Sequence, residues 1–83
     1  MERHSEIVRQ WRLLLALESR SRGLTLAEAQ REAGEGVSDR TIRRDFEALT
    51  QAGFPIETGK RDGKTAFTLN RDVFRGVAAA GFS

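Results

Sequence analysis

The chain has 83 residues, of which 39% are hydrophobic and 31% charged. That is a globular balance in a length that holds one small domain with a modest core and little room for a deep catalytic cleft. There is no cysteine and a single histidine, His4, so disulfide stapling and thiolate metal sites are excluded, zinc lacks a ligand set, and no metal or cofactor is expected. Lys and Arg number 14 against 12 Asp and Glu, a formal net charge of +2, so a case for nucleic acid has to rest on where the cations sit.

The first helix is expected over about 5–21. Ile7, Trp11, Leu14 and Leu15 recur at helical spacing and read as the face turned to the core. Leu13 and Leu17 fall on a different face. Two readings of these leucines are open: packing against another part of the same domain, or a homodimer seam or contact with a further domain. The run from Trp11 to Leu17 is apolar except for Arg12, and Glu18 and Arg20 follow at once. It is too short to span a bilayer. With no targeting signal in view, a cytoplasmic protein without membrane contact is expected.

Gly23 closes the link that follows. Thr25-Leu-Ala-Glu28 is a capping box, in which hydroxyl and carboxylate each satisfy the other's backbone N–H. It predicts a second helix over 26–33 with Leu26, Ala29 and Ala33 inward. Gly34-Glu-Gly36-Val37 supplies the positive φ of a tight turn. Ser38 reads as the next N-cap, with Asp39 favourable in the first turn. A third helix follows over about 39–52, its core stripe Ile42, Phe46 and Leu49 at i, i+4, i+7, and Gly53 stops it.

Beyond Gly53 the period shortens. Residues 54–58 read as a strand demoted to an edge by Pro55, 59–63 as a turn with its glycine after Asp62, and 64–69 as a second strand with Phe67 and Leu69 inward and Ala66 or its neighbours outward. Residues 70–83 read either as a short helix capped by Asn70 and running through Val73, Phe74 and Val77, weakened by Gly76 and Gly81, or as a linker towards a further domain. The expected fold is therefore α+β, a winged helix-turn-helix at 1–69 with a three-helix core and a two-stranded hairpin wing.

Two helices joined by a tight turn place the second in the DNA major groove, its N-terminal residues on base edges. With Ile42, Phe46 and Leu49 inward, Arg40, Arg44 and Glu47 point most directly outward, flanked by Arg43 and Thr41. Arginine suits guanine through paired bonds to O6 and N7. Ser38 and the free N–H groups at the helix start suit a phosphate oxygen, and Thr41 a thymine methyl or a phosphate. The wing sets Lys60, Arg61 and Lys64 against Asp62, suited to the backbone or the minor groove. Double-stranded DNA is thus the expected partner. Against this, Asp39, Asp45 and Glu47 bring the third helix close to neutral, and its arginines also read as a solvated face laced with i,i+4 pairs. A protein–protein interaction module without DNA binding is the alternative, since fold does not fix function; it would use Leu13 and Leu17 if they are exposed. An enzyme is not expected: the carboxylates are scattered, and there is no phosphate-cradling loop or nucleophile elbow.

Three stretches, Leu24-Thr-Leu-Ala-Glu28, Val37-Ser-Asp-Arg-Thr-Ile-Arg-Arg-Asp45, and Leu49 with Ala52-Gly-Phe-Pro-Ile56, resemble the N-terminal winged helix of the DeoR-type and WYL-domain bacterial transcriptional regulators. The resemblance covers 12–69. It implies DNA-facing roles for Ser38, Arg40, Thr41, Arg43 and Arg44 and a backbone contact by the wing. It further implies a C-terminal domain that senses an effector and often mediates dimerisation, the effector being nucleic acid in WYL proteins and a phosphorylated sugar in DeoR-type proteins. That domain is not in this sequence, so an effector would act only through a part not seen here. The turn at Glu32-Ala-Gly-Glu-Gly36 is longer than the family's pattern.

Overall fold

A computed structural model of the chain describes residues 3–72. Its elements are α1 (Arg3–Ser19), β1 (Leu24–Thr25), α2 (Leu26–Ala33), α3 (Asp39–Gln51), β2 (Ile56–Arg61) and β3 (Lys64–Leu69). The strands form one antiparallel sheet in the order β1-β3-β2. The result is a small α+β domain with three helices and a three-stranded sheet, an arrangement compatible with a winged helix. Among the described residues no helix is long and apolar enough to cross a membrane.

The inward face of α1 differs from the expected one. Leu13, Leu14 and Leu17 are 0% exposed, with Ala16 also buried, whereas Ile7 is 67% exposed and Val8, Trp11 and Leu15 are exposed as well. Of the two readings of Leu13 and Leu17, packing within the domain is the one realised, and neither can form a seam or a docking surface. The reason is that apolar residues cover most of the circumference of α1, so period alone does not choose the stripe. The choice falls to what the helix packs on, and α1 touches α2, α3 and β3.

α2 begins where the capping box predicts. Thr25 Oγ1 accepts from the Glu28 N–H at 3.2 Å, and the Glu28 carboxylate accepts from the Thr25 N–H at 3.0 Å. Thr25 also belongs to β1, a two-residue strand that the sequence reading omits: Leu24 pairs with Phe67 and Thr25 with Ala66. The turn to α3 uses Gly34 at φ +123° and Gly36 at φ +82°, and the Gln30 side-chain amide closes it by donating to the Val37 carbonyl at 3.0 Å. α3 starts at its Ser38 cap and buries Ile42, Phe46 and Leu49 as expected, together with Asp45.

The hairpin is longer and tighter than the sequence suggests. The first strand starts after Pro55 and continues through Gly59, Lys60 and Arg61, which pair with Ala66, Thr65 and Lys64. Only Asp62 and Gly63 form the turn, at φ 55° and 78°, the two-residue type whose twist matches its strands. Lys60, Arg61 and Lys64 are thus ladder residues, and the five-residue tip expected at 59–63 is not formed. Of the positions expected to point outward, Ala66 is buried, because β3 is the central strand and sets Ala66 between Thr25 and Gly59. Phe67 and Leu69 turn inward as expected, and the Phe67 ring stacks on Phe46 with centroids 4.3 Å apart.

Past β3, the Arg71 guanidinium donates to the carbonyls of Leu17 at 3.1 Å and Glu18 at 2.6 Å, a cation on the last turn of α1 where orphan carbonyls and the helix dipole favour it. Asn70 Oδ1 accepts from the Asp72 N–H at 2.9 Å, as a cap would. The helix or linker expected beyond, through Val73, Phe74 and Val77, lies outside the described residues.

Candidate nucleic-acid interface

The outer surface of α3 is set by its cap and its core stripe. Ser38 Oγ accepts from the Thr41 N–H at 3.2 Å and donates to Thr41 Oγ1 at 3.1 Å. The Ser38 hydroxyl proton is thereby engaged within the chain, which leaves Thr41 as the hydroxyl of the pair able to donate outward. With Ile42, Phe46 and Leu49 buried, Arg40, Arg43 and Arg44 are exposed. They spread over the helix: Arg44 borders the crevice between α1 and α3 with Glu6 and Glu47, and Arg43 borders the groove between α3 and β2 with Thr50, Ile56 and Thr58.

The acids expected to neutralise these arginines do not pair with them. Asp45 is 2% exposed and faces α1, where both of its oxygens accept from the Arg9 guanidinium and one also from Gln10. Among the described residues the ion pairs are Arg9–Asp45, Arg20–Glu32 and Arg61–Glu28; Arg40, Arg43 and Arg44 are in none. Asp45 and Arg9 are the residues of this region that sequence reasoning missed. The available signal was an acid on the flank of an apolar stripe, which must find a cation when buried; nothing local indicates that the cation stands on α1.

The wing residues separate. Side chains alternate across a strand, and the register places Lys60 with Thr58 and Phe67 on the sheet face that meets α3, and Arg61 with Lys64 on the other face. Lys60 and Lys64 are exposed. Arg61 is turned back instead: its guanidinium bonds the Glu28 carboxylate at 2.7 Å and the carbonyls of Arg22 at 3.3 Å and Gly23 at 3.4 Å. The Thr25 N–H, followed by Arg61, holds the Glu28 carboxyl below the usual range, against a smaller opposing effect of desolvation. The eight residues singled out in the sequence thus form an outward set of Arg40, Thr41, Arg43, Arg44, Lys60 and Lys64, while Ser38 and Arg61 are committed to holding the structure.

Comparison of the chain with protein-family models, with curated proteins and with solved structures finds no match.

Proposed function

We propose that the chain is a winged helix-turn-helix domain that binds double-stranded DNA, with α3 in the major groove and the β2–β3 hairpin against the backbone, as the reading head of a cytoplasmic transcription regulator of the kind its motifs resemble. One observation carries this reading: three arginines on the exposed face of α3 are free of ion pairs, while the buried acid of that helix, Asp45, is taken up by Arg9 of α1. Unpaired guanidiniums on a helix whose start is also exposed suit guanine edges and phosphate oxygens. Lys60 and Lys64 extend the same charge onto the hairpin. No catalytic role is assigned.

A second reading has its own support. The outward face of α1 shows Ile7, Val8 and Leu15 to solvent beside Trp11, and apolar residues so grouped suit a protein surface, whether a second copy or another partner. The two readings use different residues and can coexist.

Fluorescence anisotropy separates them, with a labelled duplex from upstream of the protein's own gene, a scrambled duplex and a series of salt concentrations. The expected slope of log affinity against log salt is about −4 or steeper, each neutralised phosphate adding about −0.9. Arg40→Ala with Arg44→Ala should abolish preference for the upstream duplex in a chain that stays folded. Lys60→Ala and Lys64→Ala should each flatten the slope by about 1 for both duplexes. Absence of binding to any duplex at low salt would overturn the DNA reading and leave the α1 face to explain.

A further inference from the structure

The α1–α3 seam contains a buried charged cluster. Asp45, almost wholly buried, stands on a helix whose other buried side chains are Ile42, Phe46 and Leu49. Its Oδ2 accepts from Arg9 Nε, and its Oδ1 from Arg9 Nη2 at 2.9 Å and from Gln10 Nε2 at 3.1 Å. The Arg9 side chain is itself four-fifths covered. The bond to Asp45 holds the Arg9 guanidinium above its ordinary pKa, so the guanidinium stays charged.

As a stabilising device such a pair is inefficient. Desolvation offsets much of the attraction, and apolar replacements of similar volume are often as stable. What the pair supplies, and apolar contacts do not, is direction. A forked guanidinium–carboxylate bond fixes distance and angle together, whereas helices packed by apolar ridges scatter by about 15–20° in crossing angle. Arg44 is the neighbour of Asp45 in sequence. Arg40 lies five residues before it, about 7–8 Å along the axis. A tilt of about 15° about Asp45, within that scatter, would move the backbone at Arg40 by about 2 Å. That shift exceeds what hydrogen-bond geometry tolerates.

We propose that Arg9, Gln10 and Asp45 form a positioning clamp that fixes the orientation of α3 on α1, and that its role is to set base discrimination instead of stability or general affinity for DNA. The second half rests on the DNA-binding reading; the first does not. Arg9 is then a positioning residue on α1, and Asp45 is its counterpart on α3, in the same crevice as Arg44.

The test is the paired replacement of Arg9→Met and Asp45→Leu, with Asp45→Asn as a second, shape-preserving variant. Residual dipolar couplings of isotope-labelled chain give the α1–α3 orientation. Anisotropy gives binding to a duplex selected from a random pool by the wild-type chain, and to a scrambled one. The paired variant should melt within a few degrees of wild type and bind the scrambled duplex with wild-type affinity and salt slope. Its couplings should show α3 displaced or averaged relative to α1, and preference for the selected duplex should fall by about tenfold or more, the loss one misread base pair brings. Wild-type couplings in a folded variant would overturn the clamp. Altered couplings with unchanged discrimination would overturn its part in recognition, and unfolding of both variants would show a stabilising role and overturn it too. A wild-type chain that selects no duplex refutes the DNA reading, and the couplings alone then decide the clamp.

Discussion

At Gly23 the backbone has φ +77°, and an added β-carbon would stand 2.1 Å from the Phe67 carbonyl oxygen and 2.5 Å from Thr68 Cγ2. The residue is a glycine for two independent reasons, a left-handed backbone and a strand pressed against it. Gly23→Ala should therefore cost about 2–5 kcal/mol, combining backbone strain with overpacking. Urea unfolding measures this, and a loss below about 0.5 kcal/mol, the usual scale of surface changes, would mean that β3 simply moves aside. Half of this was legible in the sequence: Gly23 reads as a breaker after the first helix, but its neighbour in space is fixed by the β1–β3 register. Asp45 has the same history. Its place beside the core stripe is written in the spacing from Ile42, Phe46 and Leu49, and its partner is not, because Arg9 belongs to another element.

The elements read most correctly are those whose signals are local. The capping box gives the start of α2 because donor and acceptor lie three residues apart, whereas the turn expected at 59–63 contracts to Asp62 and Gly63 because pairing with β3 carries β2 through Arg61. β1 escaped because two residues have no period, and α1 was turned to the wrong face because Ile7, Trp11 and Leu15 repeat as regularly as Leu13 and Leu17. Glu28 links two of these elements, accepting from the N-terminal backbone of α2 and from Arg61 at the end of β2. Its carboxyl is held below the usual range in the folded chain. A depressed carboxylate contributes its stability at pH above its unfolded value, and that contribution disappears as pH falls through the folded value. Wild type should thus lose stability on acidification below the ordinary glutamate range. Glu28→Gln should be less stable at neutral pH and lose less on acidification, the two curves converging in acid. Urea midpoints at a series of pH values give the comparison, and parallel curves would show that Glu28 contributes nothing to the acid limb. The exposed part of this bond is screened by solvent, so the gap at neutral pH should be modest.

The described residues span 35 × 32 × 19 Å. Successive half-sites on DNA lie about 34–36 Å apart, so one such body per half-site is what the DNA reading requires of a homodimer. A net charge of +2 says little here, because it does not show which cations are paired: Arg9, Arg20 and Arg61 are in ion pairs, and Arg40, Arg43 and Arg44 are not. The small β1 has a larger effect at this scale than its length suggests. By joining Leu24 to Phe67, it closes a loop that contains α2, the turn, α3 and β2. Closing a long loop is costly in entropy, and the contacts that repay it form together. Slow-exchanging amides of α2, α3 and β3 should then share one opening free energy equal to that of global unfolding. Native-state hydrogen exchange in low denaturant tests this, and an α3 that opens well below the global value would refute it. With one shared opening free energy, the domain has no low-lying state in which its exposed arginine helix melts alone. If the domain binds DNA as proposed, a signal that silences it would then have to move it as a rigid piece, by distance or angle, and could not work by loosening it from within.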